Sequence, residues 1–188
     1  AKLASLNVTK LDGTVVPASS LWENGGAVVY LIRRMGCKLC REESLALSEL
    51  KDRLAPVPLI GIAGEHLGHE EFTEKYWKGG LFFDLGKKDW FPIMGSGRMM
   101  FSGLASYMFG GVVAKNVKRV DEKNIEGNFA GEGFNLGGVW VVNAIEKKVV
   151  FEHQEKSWGD NVCGDPAQFE KLLAEVGRIK SAMKSSAK

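Results

Sequence analysis

Continuous apolar runs and stretches of helical spacing alternate along this chain. Residues 3–11 alternate loosely between apolar and polar positions and end at Asp12-Gly13, a turn signal, with Val15-Val16 returning beyond it. Ser19 or Ser20 can cap a short helix through Leu21 and Trp22, stopped by Asn24-Gly25-Gly26. Residues 27–32 (AVVYLI) form an unbroken apolar run rich in β-branched side chains, the pattern of a strand covered on both faces. A helix is predicted from about Lys38 to Leu54, ended by Pro56 and Pro58, and residues 57–63 (VPLIGIA) read as a second buried strand. Residues 70–77 predict a short helix with Phe72 and Tyr76 on one face, residues 80–84 (GLFFD) a third strand, and a helix follows through Trp90. Residues 136–142 (LGGVWVV) and 148–152 (KVVFE) predict an antiparallel hairpin turning at Asn143-Ala144. The closing helix has the fullest signature. Asp165 offers an N-cap, Pro166 fills the first helical position and Gln168 the third, and Phe169, Leu172, Leu173, Val176 and Ile179 recur at helical spacing.

Parallel strands linked by helices, then antiparallel strands at one side, is a thioredoxin-like order: an α/β fold with a mixed central sheet flanked by helices. One domain over residues 1–188 is expected. Residues 95–135 exceed what that order needs and are expected to be an insertion before the C-terminal hairpin; residues 184–188 are expected to fray. Composition agrees with an ordinary globular chain, 45% hydrophobic and 26% charged. The 25 basic and 23 acidic residues are mixed, net charge +2, so no nucleic-acid partner is expected. Residues 1–10 lack the apolar stretch of a secretion signal. A cytoplasmic location is the expectation, with an upstream targeting segment left open because the chain does not begin with Met.

Three cysteines are too few for a disulfide scaffold at this length. Two of them form Cys37-Lys38-Leu39-Cys40, placed between the first buried strand and the start of the predicted helix. The thiolate is the reactive species, and a helix N-terminus with nearby cations favours it; Arg33, Arg34, Lys38 and Arg41 lie within four residues of Cys37. The two-residue spacer lets Cys40 resolve an intermediate formed on Cys37. Cys40 shares the core-facing stripe with Leu47, Leu50 and Leu54, whereas Cys37 precedes it. Cys37 is therefore expected to be the exposed nucleophile and Cys40 the buried resolving thiol. A CxxC pair is also half of a zinc site, and His66-Leu67-Gly68-His69 offers two imidazoles. The buried strand between them and the short histidine spacing favour redox chemistry over a metal or an inert pair.

The segments LWENGGAVVYLIRRMGCKLCREES (residues 21–44), RMMFSG (98–103), GEGFNLGGVWVV (131–142) and FEHQEKSWGD (151–160) together resemble the peroxiredoxin-like 2 family. The chain is more similar to its 2A branch than to the sister prostamide/prostaglandin F synthases. The resemblance implies a thioredoxin-like fold and an antioxidant or redox-regulatory thiol oxidoreductase, its CxxC thiols mapping to Cys37 and Cys40. The sister branch implies reduction of a prostaglandin endoperoxide with electrons from a thioredoxin system. Ordinary peroxiredoxins carry Pro and Thr in a P-x-x-x-T-x-x-C segment; here Tyr30 and Arg34 stand at those positions. Arg34 is expected to support the Cys37 thiolate, either by lowering its pKa or by replacing the missing donors at a developing oxyanion.

The expectation is thus a monomeric oxidoreductase with no bound cofactor. It takes electrons from a thioredoxin- or glutathione-type donor and acts on a peroxide, an endoperoxide or a disulfide. The alternative class is a redox-sensing interaction module without turnover. His66, His69 and His153 read as loop or surface histidines, Cys163 as a bystander thiol or a regulatory one, and Glu42 and Glu43 as partners of the helix dipole. Residues 99–114 (MMFSGLASYMFGGVVA) contain no charge and three glycines. They are too short for a spanning helix, which needs about 20 apolar residues, so no transmembrane segment is expected. They read as an insertion packed over the sheet, a lid for a lipid-like substrate, or an interfacial contact.

Overall fold

The apolar run anticipated at residues 27–32 becomes the middle of a mixed sheet. The computed structural model describes residues 3–94 and 97–186. Its chain order is β1 (Asn7–Thr9), β2 (Val15–Pro17), β3 (Gly26–Ile32), α1 (Lys38–Glu49), α2 (Lys51–Leu54), β4 (Leu59–Ala63), α3 (His69–Lys75), β5 (Gly80–Phe83), α4 (Phe91–Met94), α5 (Phe101–Met108), α6 (Val112–Asp121), β6 (Gly138–Asn143), β7 (Lys148–Gln154) and α7 (Pro166–Ser186). Among the described residues the sheet runs β2-β1-β5-β4-β3-β6-β7. β3 pairs in parallel with β4, and β4 with β5; β6 runs antiparallel to β3, and β7 to β6. This is the thioredoxin-like arrangement that the order of elements predicts. The Asp12-Gly13 turn joins β1 to β2 in an antiparallel pair.

Every residue of β3 is buried, as its unbroken apolar run requires. Its alternation distributes two cores. Val28, Tyr30 and Ile32 face Leu47 and Leu50 of the α1 side and Leu172, Val176 and Ile179 of α7. Ala27, Val29 and Leu31 face Trp22, Trp90, Phe91 and Met94. The helix expected over residues 38–54 breaks at Leu50 into α1 and α2. Asp165 does cap α7, its Oδ1 accepting the N–H groups of Ala167 at 2.9 Å and Gln168 at 3.3 Å.

The stretch expected to be an insertion contributes α5, α6 and the loop that follows, laid over the start of α1. Gly95, its expected first residue, lies outside the described residues, as do residues 187–188 of the expected tail; α7 continues through Ser186. A buried carboxylate fixes this layer. Glu42, 2% exposed, accepts from Arg119 at 2.7 Å and 3.0 Å and from Lys123 at 2.7 Å, both cations reaching over from α6 or just beyond it. Glu43 is also buried, and its Oε2 takes the Cys163 N–H at 3.0 Å. Both glutamates therefore differ from the expected dipole partners: α1 begins at Lys38, so they lie beyond its first turn, under α6 and the turn at Val162–Gly164. Among the described residues, no helix is long and apolar enough to cross a membrane.

Two substitutions separate capping from core packing on α7. Asp165→Ala removes the cap and should cost about 1 kcal/mol. Leu172→Ala opens a hole at a fully buried position and should cost about 2–5 kcal/mol. Urea denaturation with an unchanged m-value reads both, and equal losses would contradict the division.

Candidate active site

The site is built where β3 runs out and α1 begins. Cys37 occupies the N-cap position of α1 with extended backbone (φ −78°, ψ 123°), and its carbonyl accepts the first helical bond, from the Arg41 N–H at 2.9 Å. Cys40 follows one turn later with no exposure, its carbonyl accepting from the Tyr30 hydroxyl at 3.3 Å and the Ser44 hydroxyl at 2.8 Å. Both thiols are free.

Cys37 is only 6% exposed, against the expected exposed tip. The covering comes from the long stretch before β6, whose packing over α1 the local pattern at Cys37 does not register. Cys37 lies instead at the floor of a cavity of about 620 Å³. Arg33, Arg34 and Lys38 share that floor, Leu104 and Tyr107 of α5 and Val113 and Val117 of α6 form one wall, and Phe129, Phe134 and Trp158 form another. The loop over the floor fits through close backbone approach. The Asn128 N–H donates to the Gly36 carbonyl at 2.7 Å, and a Cβ on Gly127 would stand 2.6 Å from the Lys38 nitrogen.

One guanidinium touches the sulfur. Arg33 Nη2 donates to Cys37 Sγ at 3.0 Å and Nη1 to the Gly133 carbonyl at 2.9 Å, while Nε lies 3.7 Å from Glu155 Oε2. Arg33 is 3% exposed, and its guanidinium also lies 5.8 Å from the centre of the Trp158 ring. Glu155, itself 3% exposed, accepts the Gly137 N–H at 2.8 Å.

The Cys37 thiol is held well below the ordinary cysteine range. The hydrogen bond from Cys40 is the chief cause, and the Arg33 charge, the Cys40 amide and the more distant Arg34 charge add to it against the cost of burial. The same hydrogen bond and burial push Cys40 up. The two thiols are thus differentiated, Cys37 as the more acidic and Cys40 as the one that keeps its proton.

Arg34, the arginine favoured by the sequence, lines the cavity but donates to the Phe129 carbonyl at 3.0 Å and lies 5.6 Å from the Phe129 ring. Its charge reaches Cys37 through space; the direct bond belongs to Arg33. Lys38 pairs with Asp121, and Arg41 bonds the Met35 carbonyl, the Tyr76 hydroxyl and Glu71. Glu155 was not singled out by the sequence, although its signal was present: Phe151, His153 and Glu155 share one side of β7 and its extension by period two. His153 is covered, its side chain 13% exposed and its Nε2 2.7 Å from the Asp160 carbonyl oxygen. His66 packs 4.1 Å from the Phe83 ring, and His69 opens α3. Cys163 lies apart from the dithiol, and burial together with the Glu43 carboxylate raises its pKa far out of the reactive range. Among the described residues, no cluster of three or more His, Cys, Asp or Glu side chains is arranged to hold a metal ion.

A lowered Cys37 pKa means the thiolate persists below the ordinary cysteine value of about 8.5 and is lost only as pH falls through the lowered value. Arg33→Met should move the midpoint of Cys37 alkylation by iodoacetamide upward by at least about one pH unit, a tenfold loss of thiolate on the acid side. Arg34→Met should move it less, and Cys40 and Cys163, both pushed up, should be alkylated more slowly than Cys37. Mass spectrometry of each alkylated peptide against pH measures this; a larger shift for Arg34→Met would reverse the assignment.

Comparison with known proteins adds the lineage. A family described as AhpC/TSA antioxidant enzyme matches residues 46–157, a span that begins after the Cys37–Cys40 motif. Peroxiredoxin-like 2A of Bos taurus is 39% identical over 160 residues, covering 84% of this chain and 71% of that protein. The Homo sapiens protein of the same name is 41% identical over 148 residues, covering 77% of this chain and 62% of its own length. The chain therefore spans less than two thirds of the human relative. Among solved structures, peroxidoxin BcpB of Mycobacterium tuberculosis superposes with a TM-score of 0.57 at 16% identity, covering 95% of this chain and 96% of that one. A variant of peroxiredoxin Q from Xanthomonas campestris gives 0.52 at 14% identity, covering 94% and 92%. At those identities the structural likeness speaks for the thioredoxin-like fold, while the sequence relatives speak for the lineage. The chain belongs to the AhpC/TSA antioxidant-enzyme family, in its peroxiredoxin-like 2 branch.

Proposed function

We propose that this chain is a thiol-disulfide oxidoreductase with peroxiredoxin-like antioxidant or redox-regulatory activity, in which Cys37 is the nucleophile and Cys40 resolves. The observation that carries the reading is the Arg33–Cys37 hydrogen bond of 3.0 Å at the floor of a cavity, with Cys40 three residues on in α1. The Cys37 thiolate attacks one oxygen of a peroxide; an S–O bond forms, the O–O bond breaks, and the leaving oxygen takes a proton to depart as alcohol or water. The Cys40 sulfur then attacks Cys37 Sγ, and hydroxide leaves with the Cys40 proton as water. A dithiol donor of thioredoxin type returns two electrons to the Cys37–Cys40 disulfide. No cofactor enters this scheme. A reducing compartment such as the cytoplasm, and a monomer, fit it. Arg34, on the cavity floor, adds positive charge where the leaving oxygen becomes anionic.

The apolar wall from Leu104, Tyr107, Val113 and Val117 favours a peroxide that carries hydrocarbon over hydrogen peroxide. It equally supports an endoperoxide, for which the first step leaves a Cys37–O–carbon linkage that Cys40 cleaves to release the second hydroxyl.

NADPH consumption with thioredoxin and thioredoxin reductase tests the reading across hydrogen peroxide, an alkyl hydroperoxide, a lipid endoperoxide and a protein disulfide. Turnover should be highest with the apolar peroxides, absent in Cys37→Ser, and replaced in Cys40→Ser by a covalent intermediate seen by mass spectrometry. Unchanged turnover in Cys37→Ser would refute the mechanism. A single stoichiometric oxidation without turnover would identify a redox-sensing module instead.

A further inference from the structure

Three buried groups stand in line behind the cavity floor: the Cys37 sulfur, the Arg33 guanidinium and the Glu155 carboxyl. The links are 3.0 Å from Arg33 Nη2 to Sγ and 3.7 Å from Arg33 Nε to Glu155 Oε2, and Arg33 and Glu155 are each 3% exposed. Glu155 is fastened from the other side by the Gly137 N–H at 2.8 Å and does not line the cavity. Among the described residues, the titratable and charged groups that act on it include Tyr30 of β3 and Arg33 just beyond its end, with Cys37, Cys40 and Glu43 at the start of α1. Arg33 is the cation of that set. Glu43 differs from Glu155 because its oxygen is taken up by the Cys163 N–H rather than by a guanidinium.

One guanidinium therefore serves two acids. A thiolate and a carboxylate facing the same guanidinium repel each other in a buried site, so ionising both is disfavoured. One acid with the proton and one without leaves a single anion on Arg33. Which acid is ionised must then follow the redox state of the sulfur.

We propose that Glu155 is a redox-linked proton site: it holds a proton while Cys37 is a thiolate and gives it up when Cys37 is tied to Cys40 in a disulfide. This rests on the dithiol reading above. In the oxidised chain, Arg33 pairs with the Glu155 carboxylate alone. When a small dithiol reduces the Cys37–Cys40 bond, two electrons enter the sulfurs, the donor closes its own disulfide, and two protons are released from the donor. Cys40 takes one as a thiol, Cys37 stays a thiolate on Arg33, and Glu155 takes the other. Arg33 faces one anion before and after. In the dithiol form, burial holds the Glu155 carboxyl up to about 7 against the lowering by Arg33 and the Gly137 N–H, with the Cys37 sulfur pushing the same way as burial. Loss of that sulfur's charge on oxidation lowers it, so uptake spans the pH range between the two values.

The test is infrared difference spectroscopy of the whole chain, dithiothreitol-reduced minus oxidised, just below neutral pH. A protonated-carboxyl C=O band should appear on reduction and be missing in Glu155→Gln. In redox titrations against dithiothreitol over the same pH range, the wild-type midpoint should follow about two protons per two electrons and that of Glu155→Gln about one. If Glu155→Gln does not fold, the wild-type spectrum decides alone: no protonated-carboxyl change overturns the proposal. Mass spectrometry of the oxidised chain separates the two possible failures. An absent Cys37–Cys40 disulfide refutes the dithiol reading itself, whereas a disulfide without the carboxyl change refutes only the role of Glu155.

Discussion

A guanidinium can be buried only where acceptors meet it, and Arg33 draws its acceptors from widely separated parts of the chain. The Cys37 sulfur comes from the start of α1, the Gly133 carbonyl from the loop after α6, and Glu155 from the end of β7. Trp158, from the following turn, flanks the group, and its carbonyl is tied to α6 by the Asn116 amide at 2.9 Å. Lys87 donates to the Arg33 backbone carbonyl at 2.9 Å and to the Glu132 carbonyl at 2.7 Å, so a second cation holds the loop against the strand end. Packing and reactivity share one origin here: the cation that needs these acceptors is also the cation that lowers the thiol pKa.

A second constraint shapes the cavity. α5, α6 and the loop that follows add an apolar layer that leaves Phe101, Phe109 and Phe129 exposed to water. Such a layer does not hold its position by apolar burial alone. Glu42 supplies the rest, with two cations from the α6 side and the Asn161 amide at 2.8 Å on one buried carboxylate. Removing one partner of a buried ion pair typically costs about 3–5 kcal/mol. The wall is thereby attached to the start of the same helix, two residues beyond Cys40.

The layout of the sheet was legible because it rests on local patterns. An apolar run without polar interruption can be satisfied only by a strand covered on both faces, and Asp165-Pro166 marks a helix start by backbone chemistry that needs no partner. The burial of Cys40 followed from helical spacing in the same way. The environment of Cys37 was not legible, because its cover comes from distant residues, from Leu104 to Trp158, beyond any local period. Arg33 and Arg34 are neighbours of one residue type, and only the three-dimensional path of β3 decides which reaches the sulfur. Glu42 and Glu43 read as partners of the helix dipole since their actual partners, Arg119 and the Cys163 amide, lie far along the chain. Long-range ion pairs leave little trace in one sequence. Glu155 is the exception, since strand alternation from Phe151 already pointed it inward.

The way Cys37 is held also fixes a direction of approach. A thiolate sulfur offers several equivalent lobes to an incoming electrophile in free solution. Here the Cys37 sulfur is met by the Arg33 N–H at 3.0 Å and also lines the cavity. Under the dithiol reading proposed above, an incoming group would reach that sulfur through the cavity, past its apolar lining. The fold would then act on the direction of approach as well as on charge.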